Sequence, residues 1–212
     1  MSSVTKRFLA ATVVALSVGA LALFGWSVLG AGEREDFPVL WEAPDFALVD
    51  QTGDTLRSGE LDGTAWVAHF FFTNCAGICP LTTARMRGLR DSLAVDGLLG
   101  EQVRLVSISV DPARDTPPVL REYAALFGGS PPSEWAFLTG SSPEAIQRLL
   151  QEGFKVTATP PVPPADTAAN YQVNHSPRLE LVDPEGRVRA TYDATEPDAI
   201  RRLLADLRAL VP

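Results

Sequence analysis

The chain has 212 residues, with 26 acidic against 18 basic side chains and a net charge of −8 at pH 7. An acidic surface argues against nucleic acid as a partner, because phosphate backbones attract positively charged protein surfaces. Beyond residue 32 the length suits one ordinary domain with its own hydrophobic core, and the sequence shows no internal repeat.

The N-terminal segment, residues 1–32, is predicted to anchor the protein in a membrane. Lys6 and Arg7 precede a stretch from Phe8 to Ala31 that carries no charge. The apolar region of a secretory signal is about 7–15 residues long, whereas a spanning helix needs about 20, so the length favours an uncleaved anchor. Cleavage after a small residue such as Gly30 is the alternative.

The charges on either side of this stretch predict its orientation. The basic pair lies before it and acidic residues follow it at Glu33, Glu35 and Asp36, which points the N-terminus to the cytoplasm. Residues 33–42 are interpreted as a linker, and residues 43–212 as a domain on the extracytoplasmic, periplasmic side. Disulfides can form in that compartment.

The first elements of the domain are a hairpin, a buried strand and a helix. Glu42–Leu56 has alternating apolar positions on both sides of a turn at Gln51-Thr52-Gly53-Asp54, which predicts two short strands. Trp66–Phe72 is short, aromatic and uncharged, as a buried strand is. The apolar residues of Thr82–Leu93 recur at the spacing of an amphipathic helix.

Both cysteines of the chain, Cys75 and Cys79, fall between this strand and this helix. Residues four apart meet only when the intervening chain forms a turn of helix, so the sulfurs are predicted to lie close together. Unpaired backbone N–H groups and the helix dipole favour negative charge at a helix start. This position therefore predicts lowered pKa values for the thiols.

A close pair of thiols has three common uses: a structural disulfide, a redox-active dithiol or a site for a soft metal. A disulfide that closes so short a loop adds little stability in the chain-entropy model. The spacing here, with Ala76, Gly77 and Ile78 between the cysteines, is longer than the Cys-x-x-Cys of a thioredoxin-type redox pair. A soft-metal site needs at least one further ligand, for which the chain offers two histidines.

The two histidines have different settings. His69 lies inside the aromatic strand, which favours a core histidine or one that supports a ligand. His175 follows a proline-rich segment, residues 157–170, whose length and composition are typical of a functional loop. On spacing alone, His175 is either a metal ligand or a loop histidine without that role.

The rest of the chain alternates strands with helices. The predicted elements are a strand at Val103–Val110, a helix at Leu120–Phe127, a strand at Trp135–Leu138, a helix from Pro143, a hairpin of Arg178–Val182 and Arg187–Tyr192, and a helix at Glu196–Leu210. This alternation predicts an α/β sandwich with a mixed central sheet.

Several motifs resemble those of the Sco/SenC family, in the family's order, from about Ala43 to Leu210. They are the cysteine motif with its trailing Pro80, Ser109-Val110-Asp111-Pro112 before Arg114-Asp115-Thr116-Pro117, Leu138-Thr139-Gly140, and the His175-Ser176 step that leads to Leu181-Val182-Asp183-Pro184-Glu185-Gly186. Members of this family are membrane-anchored copper proteins of thioredoxin-like fold that assist assembly of the copper site of cytochrome c oxidase.

The resemblance implies that Cys75, Cys79 and His175 are ligands of Cu(I) or Cu(II). Thiolates select soft Cu(I), and an imidazole completes a small three-coordinate site that also tolerates Cu(II). The sequence departs from the family between the cysteines, where Ala76-Gly77-Ile78 replaces the more usual Pro-Asp-Val. A carboxylate near the metal is therefore missing.

The sequence thus predicts a thioredoxin-like copper-binding domain, with an N-terminal hairpin extension, tethered by one transmembrane helix. By the resemblance, it is a metallochaperone and not an enzyme in the strict sense. The resemblance implies that it receives copper from an upstream periplasmic donor and delivers it to the copper-bearing subunit of cytochrome c oxidase or to another cuproprotein.

The alternative is a thiol–disulfide oxidoreductase. In that function Cys75 and Cys79 cycle between dithiol and disulfide and reduce the cysteines of the acceptor before it receives metal. A peroxidase is a third possible function. It would need a peroxide-reactive thiolate, and nothing in the sequence marks either cysteine as one.

Overall fold

The computed structural model describes residues 37–156 and 177–211. The predicted membrane anchor at residues 1–32 and the proline-rich segment with His175 lie outside these ranges. Within residues 37–156 and 177–211, no helix is long and apolar enough to cross a membrane.

Within the described residues, six strands form a mixed central sheet and two more form a separate hairpin. The strands are β1 (Trp41–Glu42), β2 (Ala47–Val49), β3 (Thr55–Arg57), β4 (Ala65–Phe71), β5 (Val103–Ser109), β6 (Trp135–Leu138), β7 (Arg178–Val182) and β8 (Arg187–Asp193). The order in the sheet is β1-β8-β7-β4-β5-β6. Strands β4, β5 and β6 are parallel, whereas β7, β8 and β1 are added antiparallel.

The helices are α1 (Cys79–Val95), α2 (Pro117–Leu126), α3 (Pro143–Arg148) and α4 (Ala199–Leu210). A 3-10 turn spans Ser58–Leu61, and α3 continues into a π-helical turn at Leu149–Gly153. A proline lies in the first turn of α1, α2 and α3, where its missing N–H group removes no helical hydrogen bond.

The core is built on both faces of β4, whose residues are all buried. On one face, Trp66 and Phe70 pack their rings against Phe154, which follows the π-helical turn. On the other face, Phe71 stacks on Tyr123 of α2, with ring centroids 5.2 Å apart. Because β4 is covered on both sides, its sequence is apolar on both faces apart from His69, and it does not alternate.

The predicted α/β architecture with a mixed central sheet is confirmed. The predicted N-terminal hairpin is also present, as β2 and β3. It is joined to the end of β6 by two backbone hydrogen bonds between Val49 and Thr139, of 3.0 and 2.8 Å. Strand β1 lies within the residues that the sequence assigns to the linker, and it pairs with β8.

Candidate metal centre

The cysteines lie where the central strand ends and the first helix begins. A short loop after Phe71 carries Cys75, and Cys79 is the first residue of α1. Helix α1 therefore starts earlier than the predicted Thr82, and one turn of chain joins the two thiols. The predicted position at a strand-to-helix junction is confirmed.

The two sulfur atoms have different environments. Cys75 is partly exposed, whereas Cys79 is fully buried, and no disulfide joins them. The backbone N–H of Cys79 donates to Sγ of Cys75 over 3.4 Å. A donor at this distance stabilises negative charge on the outer sulfur. The outer sulfur is therefore the one that a reagent or partner reaches first.

The inner thiol does not behave as the helix position alone predicts. The hydrogen bond with the Cys75 side chain raises the pKa of Cys79, and burial raises it further. Backbone hydrogen bonds lower this pKa, but their effect is smaller. The prediction of a lowered pKa is therefore wrong for Cys79. Burial and a sulfur neighbour outweigh the helix start, so Cys79 holds its proton.

A buried carboxyl group holds the chain just before the cysteines. Asp115 accepts hydrogen bonds from the Thr73 backbone N–H, at 3.1 Å, and from the Thr73 hydroxyl. It also accepts one from the hydroxyl of Ser109, the last residue of β5. Burial raises the pKa of Asp115, although these hydrogen bonds act in the opposite direction. Asp115 thus ties the cysteine loop to the end of the neighbouring strand.

Replacing Asp115 with alanine is expected to lower the free energy of unfolding by about 1–3 kcal/mol, because the buried hydroxyl of Ser109 and two partly buried donors of Thr73 lose their acceptor. Urea unfolding of the variant measures the change. The matched control is Ser109→Ala, which removes one of the donors and leaves the carboxyl bound to Thr73. An Asp115 variant as stable as the parent would show that the hydrogen bonds to Asp115 contribute nothing to the free energy of unfolding.

Tyr123 closes the apolar side of the site. Its hydroxyl lies 3.0 Å from the hydroxyl of Thr83 on α1, and its ring stacks on Phe71. Burial raises the pKa of Tyr123, and the charges of the two cysteines and Asp115 raise it further. The phenol therefore stays protonated beside the thiols.

Sequence reasoning missed the roles of Asp115 and Tyr123. Asp115 stands in the motif that opens α2, where an acidic residue before Thr-Pro indicates only a helix start. Tyr123 has the spacing of any residue on the buried face of α2. The only available signal for Asp115 was its place just beyond a strand that runs parallel to the cysteine strand.

His69 is a core residue, as predicted, with 1% of its surface exposed. It stacks on Phe71, and its two ring nitrogens lie within hydrogen-bond distance of hydroxyl groups on β5 and α1.

His175 falls outside the described residues, so its role as a ligand stays a prediction. Among residues 37–156 and 177–211, no group of three His, Cys, Asp or Glu side chains could hold a metal ion. The structure does describe Arg178, where β7 begins. Since β7 runs antiparallel to β4, with Leu179 paired to His69, it starts at the end of the sheet where the cysteine loop leaves β4.

A mixed sheet with a dithiol at the carboxyl end of its central strand, where the first helix starts, defines a thioredoxin-like domain. The family model for SCO1/SenC matches residues 40–212. The chain belongs to the SCO1/SenC family.

Individual proteins of the family are similar to this chain in sequence and in structure. The SCO1 protein homolog of Bacillus subtilis (strain 168) is 32% identical over 178 residues, which cover 84% of this chain and 87% of that protein. A solved structure of BsSco, a member of the Sco family of cytochrome c oxidase assembly proteins with a disulfide switch, is 32% identical with a TM-score of 0.70, over 82% of this chain and 95% of that chain. The structure of yeast Sco1 with copper bound is 28% identical with a TM-score of 0.64, over 81% of this chain and 91% of that chain.

Proposed function

We propose that this protein binds copper through Cys75, Cys79 and His175 and delivers it during assembly of the copper site of cytochrome c oxidase. The observation that carries the proposal is the pair of cysteines on one turn of chain, not joined by a disulfide, with the N–H of Cys79 3.4 Å from Sγ of Cys75. Family membership supports it, because yeast Sco1 has been solved with copper bound and BsSco belongs to a family of oxidase assembly proteins.

The donor set fits copper. Two sulfur donors at the start of α1 suit a soft monovalent ion, and the imidazole of His175 would supply a third ligand that also suits Cu(II). Arg178, three residues after His175, begins β7 at the same end of the sheet as the cysteine loop. This position supports His175 as the ligand that completes the site.

The unequal burial of the thiols gives transfer a direction. Cys75 is partly exposed and Cys79 is fully buried, so a thiolate of the acceptor reaches copper on the side of Cys75. The acceptor displaces Cys75 first and Cys79 second, and each displaced sulfur takes up a proton. Copper changes ligands in this exchange and keeps its oxidation state.

The partners and location follow from the same proposal. Copper comes from an upstream periplasmic donor and goes to the copper-bearing subunit of the oxidase or to another cuproprotein. Residues 1–32 anchor the protein in the membrane, residues 33–40 link the anchor to the domain, and the domain, which begins with β1, acts on the extracytoplasmic side. The uncharged stretch from Phe8 to Ala31 supports the anchor.

A second candidate function is favoured by the same dithiol. An exposed thiol backed by a buried one is the arrangement of a thiol–disulfide oxidoreductase, in which Cys75 attacks a disulfide of the acceptor and Cys79 resolves the mixed disulfide. The acceptor gains two thiols and this protein gains the Cys75–Cys79 disulfide. The disulfide switch of BsSco is consistent with this chemistry.

Replacing His175 with alanine is expected to weaken copper binding by about 100-fold, since a metal ligand contributes at least as much as the groups that orient one. The measurement is a competition titration of the reduced full chain, in detergent, against a copper chelator. The matched control is His69→Gln, which removes the other histidine and is expected to keep parental affinity.

The same pair of variants separates the two functions. If the His175 variant binds copper like the parent, His175 is not a ligand and the proposed site is wrong. If parent and variant both bind copper weakly but reduce a disulfide peptide of the acceptor at equal rates, the oxidoreductase is the function.

A further inference from the structure

A chain of hydrogen bonds crosses the core and ends at the buried cysteine. The indole N–H of Trp135 on β6 donates to Oγ of Ser107 on β5 over 2.9 Å. The same Oγ lies 3.1 Å from Nδ1 of His69 on β4. On the other side of the imidazole, Nε2 lies 3.0 Å from Oγ1 of Thr82 on α1, and Thr82 donates to the carbonyl oxygen of Cys79 over 3.1 Å.

The chemistry of the donors gives this chain one direction. A carbonyl oxygen only accepts, so the single hydroxyl proton of Thr82 is used on Cys79. The oxygen of Thr82 must then accept from Nε2–H of His69. In a neutral imidazole the other nitrogen accepts, so Nδ1 takes the proton of the Ser107 hydroxyl, whose oxygen accepts from Trp135.

The last hydrogen bond, from Thr82 to the carbonyl of Cys79, acts on a residue that belongs to the thiol pair. Cys79 is the first residue of α1, its side chain is fully buried, and its N–H donates to Sγ of Cys75. Holding the carbonyl of Cys79 therefore restrains the residue that carries both the inner sulfur and the N–H donor to the sulfur of Cys75. Buried polar networks whose members are all satisfied favour one arrangement of a core.

We propose that His69 is a positioning residue for the cysteine site: it holds the Thr82 hydroxyl on the Cys79 carbonyl and so fixes the first turn of α1 in the dithiol state. The inference concerns the dithiol that both candidate functions share, and it does not depend on copper. The hydrogen-bonded side chains lie on β4, β5, β6 and α1. The positions of three strands therefore influence the position of Cys79.

The expected consequence is a shift in the thiol–disulfide equilibrium. The chain of hydrogen bonds from Trp135 to Cys79, called the relay below, is present with both cysteines reduced. In that state only noncovalent contacts hold the Cys79 side chain, whereas a disulfide would hold it covalently. Loss of the relay therefore weakens the dithiol more than the disulfide. Thr82→Val, which removes the last link, is expected to favour the disulfide about 10-fold, a fall of about 30 mV in the reduction potential of this two-electron couple.

His69→Phe is expected to shift the equilibrium in the same direction by about 3-fold, because Thr82 keeps its own bond to Cys79 but loses the donor that aligns it. His69→Gln restores an N–H donor toward Thr82 and is expected to match the parent. The measurement is equilibration of the full chain, in detergent, with glutathione redox buffers, followed by thiol alkylation and mass spectrometry. This assay contains no copper, so its failure is distinct from failure of the proposed copper function.

Leu93→Ala is the control for a general loss of stability. Leu93 is buried on the same helix, about 21 Å along its axis from Cys79 at 1.5 Å per residue, and its removal lowers the melting temperature without touching the relay. Its equilibrium with glutathione is expected to equal that of the parent. The proposal is overturned if Thr82→Val has the parental equilibrium, or if Leu93→Ala shifts it as much. Because Thr82→Val exchanges a hydroxyl for a methyl group, it decides the question even if His69→Phe does not fold.

Discussion

Replacing Cys75 with serine is expected to lower the affinity for Cu(I) by at least about 100-fold, beyond the 10- to 100-fold typical of losing a group that only orients a ligand. A hydroxyl is a harder and far less acidic donor than a thiol, so it does not replace a thiolate on a soft ion. Cys79→Ser is expected to have an effect of the same size. Competition titration of the reduced full chain measures both.

The matched control for the cysteine variants is Ser92→Ala on the same helix, which removes a hydroxyl that donates to the backbone carbonyl of Gly88. It is expected to bind copper like the parent. If Cys75→Ser bound copper as tightly as the parent, the thiol pair would not be the copper site.

The second large effect concerns a buried carboxyl group on the other face of the sheet. Glu180 on β7 has no exposed surface. The Arg178 guanidinium lies 3.2 Å from Oε1, but it donates to the carbonyl oxygens of Phe154 and Lys155, at 3.0 and 2.8 Å. Neither oxygen of Glu180 accepts a hydrogen bond from a residue in the described ranges. Burial raises the pKa of Glu180 to about 8, although the charge of Arg178 acts against it.

This shift makes stability fall as the pH rises. Below the ordinary pKa of 4.5 Glu180 is protonated in both folded and unfolded chains, whereas between 4.5 and about 8 only the folded chain keeps the proton. The folded state thus binds more protons in that window, and its stability is lost progressively up to pH 8. Glu180→Gln is neutral at every pH, so its free energy of unfolding relative to the parent is expected to rise by about 2–4 kcal/mol between pH 5 and pH 8.

Urea unfolding of parent and variant at both pH values measures this difference. The control is Glu185→Gln, which neutralises an exposed carboxylate on the adjacent turn, where Arg187 is its partner. That variant is expected to show no comparable change between the two pH values. A Glu180 variant whose advantage is the same at pH 5 and pH 8 would show that Glu180 is ionised throughout.

The elements that position the cysteines could be predicted because their signals are local. Aromatic residues without charge indicate β4, and a spacing of three and four residues indicates α1, so the junction between them follows from the sequence. The bond of Thr73 to Asp115 and the relay through His69 could not be predicted in this way. Both depend on the parallel register of β4 and β5, which pairs His69 with Ser107, and no pattern within one segment contains that register.

The pKa of Cys79 shows a different reason for a missed prediction. A helix start alone favours thiolate, and the sequence contains that information. How deeply the first turn of α1 is buried depends on tertiary packing, which no local pattern contains.

The measurement that tests the central claim most directly is an anaerobic copper titration of the reduced full chain in detergent, read by metal stoichiometry and by sulfur-to-copper charge-transfer absorption after addition of Cu(II). The proposed function predicts one tightly bound copper per chain, with the absorption band saturating at the same ratio. Binding that does not saturate, or saturation without a sulfur band, would contradict a copper site built on Cys75 and Cys79.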